Sequence, residues 1–302
     1  MMETAADTVQ VKEGAAPSTG VALFLLMKPG IVAAVTLAGY AGMVVAAGAA
    51  PPAAPALLCL ASIVLAAAGS AMINNVLDRR IDLLMERVQR RSPAIAALGT
   101  GRVVTCALAL ITSALVLSAF HVGIAATAFL LGAVASYTLY YTLYLKRRSH
   151  WAAILGGIPG ALPVLIGGSS VAPPFATAPL ILFILMLLWQ PPHFWLLSLA
   201  HQEEYRRAGI PVLPLVKGEK FTAVAVLSGA GLLVCTPLLL WVYGPCSKWY
   251  AASAVVIGIS FWGGCWLLLA KRLYRWAFTS SIAYLTAILG AVIADLCLRR
   301  VF

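Results

Sequence analysis

From residue 21 onward, apolar stretches of about twenty residues alternate with short polar or Pro/Gly-rich breaks. Each stretch is long enough to cross the roughly 30 Å apolar core of a bilayer as a helix. The pattern predicts helices near 29–49, 55–75, 102–120, 122–144, 152–170, 176–198, 221–243, 249–270 and 278–298. The breaks fall at Pro51-Pro52, 76–101, His121, Lys146-Arg147-Arg148, Pro173-Pro174, 199–220, Gly244-Pro245 and 271–276, each a turn signal, a charge cluster or both. The fold class expected is an all-α integral membrane bundle of nine transmembrane helices occupying 21–302. Residues 1–20 are polar and lack the basic-then-apolar order of a cleavable leader, so they read as a disordered cytoplasmic tail.

Composition agrees: 62% of the 302 residues are hydrophobic and 10% charged, against about a quarter charged in a soluble domain. The formal charge of +11 does not point to nucleic acid, because Lys and Arg sit in short loops between apolar spans rather than in one basic stripe. The six cysteines are scattered singly without paired spacing, as small core residues would be.

Loop parity orients the chain. Arg79, Arg80, Arg87, Arg90, Arg91 and Arg102 lie in the second loop, Lys146 to Arg148 in the fourth, Arg206, Arg207, Lys217 and Lys220 in the sixth, and Lys271, Arg272 and Arg275 in the eighth. With Lys12 and Lys28 these mark one side, and only Lys248, Arg299 and Arg300 mark the other. Basic loops stay in the cytoplasm, which puts the N-terminus inside and, with an odd number of spans, the C-terminus outside. The two long charged loops, 76–101 and 199–220, then share the cytoplasmic face, and long polar loops are where function concentrates.

In the first of them Asn74, Asp78 and Asp82 are spaced four apart, so on a helix continuing out of the membrane they share one stripe. Magnesium takes one or two carboxylates plus waters and substrate phosphates, a role that suits Asp78 and Asp82. Arg87 and Arg91 offer forked donors to phosphate oxygens. A solvated helix end with interleaved ion pairs is the competing reading, weakened because Asn74 and Asp78 lie at the end of an apolar span, where polar groups are costly.

In the second, Trp189-Gln190-Pro191-Pro192-His193-Phe194 interrupts an apolar run, and two prolines in mid-span are expected to break the helix and free carbonyls toward a cavity. His193, beside them, reads as functional, whereas His121, His150 and His201 read as ordinary histidines. Glu204 is the preferred second metal ligand, with Glu203 close behind. Between the loops, Tyr137, Tyr141 and Tyr144, spaced three or four apart, are expected to present aromatic faces to a developing cation, with Lys146 and Arg147 on phosphate; an aromatic belt with snorkelling cations is an equal reading. Gly156, Gly157, Gly160, Gly167 and Gly168 suit close helix packing or room for a bulky ligand. Asp295, inside the last span, has no evident partner in the sequence.

Together these segments resemble the intramembrane prenyltransferases of the UbiA superfamily, and more closely its protohaem IX farnesyltransferase branch. The resemblance rests on Lys28-Pro29-Gly30, the Asn74, Asp78, Asp82, Met85, Arg87 and Arg91 pattern, Tyr141-Thr142 with Leu145-Lys146-Arg147, the Gly156 to Pro163 stretch, Trp189-Gln190-x-Pro192-His193-Phe194, and Tyr205 with Ala208 to Pro214. Three positions depart from it: Glu204 stands where the family usually has Asp, Val88 where it has Thr, and Ser92 intervenes before Pro93. The resemblance implies a UbiA-type fold in the bacterial inner membrane and transfer of a farnesyl group from farnesyl diphosphate to a vinyl group of haem B, giving haem O. It implies magnesium, or manganese, bridging the diphosphate, Trp189 and His193 on the haem, Tyr205 in the catalytic set, and contact with haem A synthase or terminal oxidase assembly factors. A quinone-precursor aromatic ring or a chlorin as acceptor is the nearest alternative. A transporter, which also uses broken helices and intramembrane charges, is the alternative from another class.

Overall fold

The structure, a computed structural model, describes residues 18–298. Most of the tail expected at 1–20, including Lys12, lies outside the described residues, as do Arg299 and Arg300. Thr19 and Gly20, assigned to that tail, instead open a helix, α1 (Thr19–Met27). Nine residues are too few to register as a span, but Ala22 and Leu26, one turn apart, are buried with Met72, Ala94, Ile95, Val103 and Ala107.

Lys28 then holds a left-handed backbone (φ 53°) that turns the chain into α2 (Pro29–Ala47). Pro29 at the first helical position suits that start, because no N–H is needed there. α3 (Ala53–Asp82) has 30 residues and is roughly 45 Å long at about 1.5 Å per residue, so it is longer than the roughly 30 Å apolar core of a bilayer. A turn-rich stretch leads to α4 (Arg91–Leu98) and α5 (Thr100–His121). α6 (Ile124–Ala135) runs on into a π-helix (Ser136–Leu145). α7 (Ala152–Leu155) and α8 (Ile158–Ser169) form one span, and α9 (Thr177–Ala200) the next. After the short α10 (Gln202–Arg207) and α11 (Leu213–Lys217) come α12 (Glu219–Cys235), a 3₁₀ turn through Pro237, α13 (Leu239–Val242), α14 (Lys248–Ala270) and α15 (Tyr274–Leu298).

Among the described residues nine helical stretches are long and apolar enough to cross a membrane, at the positions the hydropathy pattern predicts. Successive spans are neighbours and α15 returns to α2, which closes a ring. α2 also packs on α8 at backbone contact: a Cβ on Gly42 would stand 2.1 Å from the Val164 carbonyl oxygen, and one on Gly167 1.9 Å from that of Gly39. Gly156 and Gly160 similarly admit the Tyr141 ring and the Gln190 amide. The glycines thus serve close packing.

Two expectations are corrected. α9 is not broken at Pro191-Pro192 but continues to Ala200. The prolines remove the N–H groups that would bond the Leu187 and Leu188 carbonyls, while α2, α8, α12 and α15 around it hold the helix in line. Asp295 does have partners, taking the Ser247 backbone N–H at 2.9 Å and the Ser247 hydroxyl. Ser247 in turn caps α14 by accepting from the N–H groups of Trp249 and Tyr250. The carboxylate is a staple between the start of α14 and the end of α15.

Candidate active site

The end of α3 carries the first half of the site. Asp78, 1% exposed, accepts from Lys146 Nζ at 2.6 Å and from Asn74 Nδ2 at 3.1 Å, and Arg147 Nη2 stands 3.5 Å from its other oxygen. Asn74 also donates to Thr142 Oγ1 at 2.9 Å and accepts from Lys28 Nζ. Lys28 is buried, and burial, reinforced by Arg91 and Lys146, pulls its ammonium down to about 7. One turn beyond, Asp82 is buried with Arg91 Nη1 at 3.8 Å, and its Oδ2 makes no hydrogen bond. Burial also lowers the Arg91 guanidinium below its ordinary value. Two buried carboxylates are thus held among four cations, an excess of positive charge that is costly unless another anion completes it.

The second half comes from α10. Arg87 Nε lies 3.5 Å from Glu204 Oε2, and Arg87 Nη2 donates to the Tyr205 hydroxyl at 3.1 Å. Met85 and Val88 from the first loop bury themselves with Tyr205 and Ile210 from the second. This small apolar core brings the two charged loops together. Glu204 Oε2 is buried without a hydrogen bond, whereas Glu203 is exposed and pairs with Arg206. Among the described residues no three His, Cys, Asp or Glu side chains converge on one point. Asp78 and Asp82 stand on α3 and Glu204 on α10, and the three do not form one ligand cluster. The unbonded oxygens of Asp82 and Glu204 fit a hard cation whose remaining ligands are water and phosphate.

The tyrosines divide. Tyr137 and Tyr141 stack at 6.1 Å, and Tyr141 meets Phe194 at 6.4 Å, on the site side. Tyr144 does not join them: it stacks on Tyr140 at 6.4 Å, is half exposed and lies under Arg148. Spacings of three and four align the three rings on an α-helix, but this segment is a π-helix, whose wider i to i+5 turn keeps Tyr137 and Tyr141 in line and sends Tyr144 elsewhere.

On α9, His193 lies between the Trp189 ring (4.2 Å) and the Phe278 ring (4.8 Å). Its Nδ1 is 2.8 Å from Ser281 Oγ, and Trp189 Nε1 donates to the Ser281 carbonyl at 2.8 Å. Lys28, named in the sequence only within the Lys28-Pro29-Gly30 element, touches Asn74, and Phe278 and Ser281, not singled out there, touch His193. Lys28 was visible as a charge beside Pro29-Gly30; Phe278 and Ser281, apolar or neutral in the last span, carry no local signal.

Residues 32–292 match the model of the UbiA prenyltransferase family. The chain is 47% identical over 258 residues to a protohaem IX farnesyltransferase of Geotalea uraniireducens, covering 85% of this chain and all of that one. It is 32% identical to one of Acidiphilium cryptum, covering 96% and 95%. Among solved structures the fold resembles a digeranylgeranylglyceryl phosphate synthase (TM-score 0.76, 19% identity, 93% of this chain and 99% of that chain). It also resembles a UbiA homologue from Archaeoglobus fulgidus bound to DMAPP and Mg2+ (TM-score 0.65, 14% identity, 90% and 99%).

Proposed function

The chain belongs to the UbiA prenyltransferase family, and on that premise we propose that it transfers the farnesyl group of farnesyl diphosphate to a vinyl group of haem B, giving haem O. It is a multi-pass integral membrane enzyme, and the excess of Lys and Arg in the even loops supports a bacterial inner membrane orientation with the N-terminus and the site on the cytoplasmic side.

The observation that carries the reading is the pair of unbonded acidic oxygens, Asp82 Oδ2 and Glu204 Oε2, set among Lys28, Arg87, Arg91, Lys146 and Arg147. Asp78, Asp82 and Glu204 would hold magnesium, which when bound neutralises charge on the departing diphosphate. Arg87, Arg91, Lys146 and Arg147 supply donors to its oxygens. A diphosphate beside Lys28 restores the ammonium that burial disfavours. The allylic C–O bond breaks as the diphosphate takes the electron pair, and the Tyr137, Tyr141 and Phe194 rings line the apolar side where the farnesyl cation is shielded from water. The vinyl carbon then bonds to it, and water adds to the haem-side cation with loss of a proton. No side-chain nucleophile is needed. His193 and Trp189 form the platform for the tetrapyrrole.

Incubating the purified protein with farnesyl diphosphate, magnesium, haem B and a hydroxylated aromatic acid, followed by mass analysis, should show the haem gaining a farnesyl group and a hydroxyl. An unchanged haem alongside a prenylated aromatic acid would move the assignment to a quinone-precursor acceptor.

A further inference from the structure

Four side chains outside the acidic pair carry a buried polar atom without a hydrogen bond, Ser70, Asn75, His150 and Trp195; two of them belong together, Trp195, 7% exposed, through Nε1, and the half-buried His150 through Nε2. They come from different elements, α9 and the bend before α7, yet both line one cavity, whose rim includes Tyr141, Lys146 and Tyr205. A buried polar nitrogen without a partner costs about as much as a lost hydrogen bond, and two of them on residues that line the same cavity point to one shared partner. An indole nitrogen only donates, so the partner there must accept; Lys146 adds a second donor, and His150 Nε2 a third in the tautomer that carries its hydrogen there.

The cavity has a volume of about 50 Å³, against roughly 10–15 Å³ needed for one water. A carboxylate fits and a porphyrin ring does not.

We propose that Trp195 Nε1 and His150 Nε2 form a subsite for a carboxylate of the prenyl acceptor. Resting on the reading of haem B as that acceptor, the group is one of its propionates, which lie on the ring edge away from the vinyl groups. Anchoring one propionate at the cytoplasmic end orients the ring so that a vinyl carbon points inward, past Tyr141. The subsite thus sets which end of the acceptor enters first.

The test compares haem B with its propionate dimethyl ester in the wild type, Trp195→Phe and His150→Phe, with KM measured separately for acceptor and farnesyl diphosphate. The wild type should prefer the free acid by about tenfold or more, as expected for losing a hydrogen bond to a charged group. Trp195→Phe should erase most of that preference by raising KM for haem B alone, and acceptor-independent release of diphosphate should stay unchanged. His150→Phe, outside the helical core, guards against misfolding of the first variant and should act the same way. An undiminished preference in both variants overturns the subsite, with water as the occupant. A raised KM for farnesyl diphosphate overturns it in favour of phosphate. Failure of the wild type to farnesylate haem B at all removes the functional reading itself, a different result from farnesylation without carboxylate preference.

Discussion

His193 Nδ1 and Ser281 Oγ stand 2.8 Å apart, and the same Ser281 oxygen lies 2.6 Å from the Phe278 carbonyl. A serine hydroxyl has one proton, and in this helix it goes back to the carbonyl three residues earlier. Toward His193 the oxygen therefore accepts. That assigns the proton to Nδ1 and leaves the lone pair on Nε2, the nitrogen that can meet a metal or a proton. Ser281→Ala should lower turnover with haem B about tenfold and shift the absorption bands of bound haem. In a double-mutant cycle, Ser281→Ala should cost nothing further once His193 is alanine. Additive losses would mean that Ser281 acts independently of His193.

The two α3 carboxylates should part company on substitution. Asp78 is tied to Lys146, Arg147 and Asn74, so Asp78→Asn leaves a largely buried ammonium without its partner, a cost on the order of 3 kcal/mol, read as a lower thermal midpoint in detergent. Asp82 Oδ2 has no hydrogen bond to lose, so Asp82→Asn should keep the midpoint or raise it. Both should cut diphosphate release by at least about a hundredfold, the scale of losing an electrostatic contact to the transition state. Retained activity in Asp82→Asn would mean that the metal site is elsewhere.

Adjacent glutamates give a sharper contrast. Glu203 is exposed and paired only with Arg206, while Glu204 faces Arg87 with an unbonded oxygen. Glu203→Gln should be neutral within about twofold, as surface pairs are worth little. Glu204→Gln should raise the magnesium concentration needed for half-maximal rate. Equal effects from the two would remove Glu204 from the metal site.

The spans were legible because a bilayer imposes length and apolarity on every crossing helix, and that constraint is written in consecutive residues. The Asn74, Asp78, Asp82 stripe was legible for a related reason: one regular helix carries all three. What failed to show depends on distant parts of the chain. Unbroken α9 at Pro191-Pro192 is a property of four neighbouring helices, and Asp295 finds its partner 48 residues away. Tyr144 went astray because nothing in Ser136–Leu145 announces a π-helix. Lys28 reads as a topological charge and as the start of the Lys28-Pro29-Gly30 element, but the reach of its ammonium to Asn74, 46 residues on, has no local signal.

That π-helix carries its own prediction. Tyr141 lines the site beside Phe194, and Tyr144 lies outside it under Arg148. Tyr141→Leu should lower kcat about tenfold with little change in KM for farnesyl diphosphate, since a cation–π contact forms only as positive charge develops. Tyr144→Leu should leave kcat alone. If both lowered kcat equally, the segment would be turning as an ordinary α-helix.

The contact between α2 and α8 should be the least forgiving place in the fold. A methyl on Gly167 would stand 1.9 Å from the Gly39 carbonyl oxygen, and because the obstacle is backbone no side-chain rotation relieves it. The helices must separate, and Lys28 stands immediately before the first residue of α2, so separation also draws the ammonium away from Asn74. Gly167→Ala should therefore lower both the thermal midpoint and the rate of diphosphate release. Gly263, in the middle of α14 with nothing within 4 Å of its would-be Cβ, is the control. There alanine should be neutral or should stabilise by about 0.5–1 kcal/mol, by favouring the helix. A Gly167→Ala protein as stable and active as the Gly263→Ala protein would show that α2 and α8 do not meet at backbone contact.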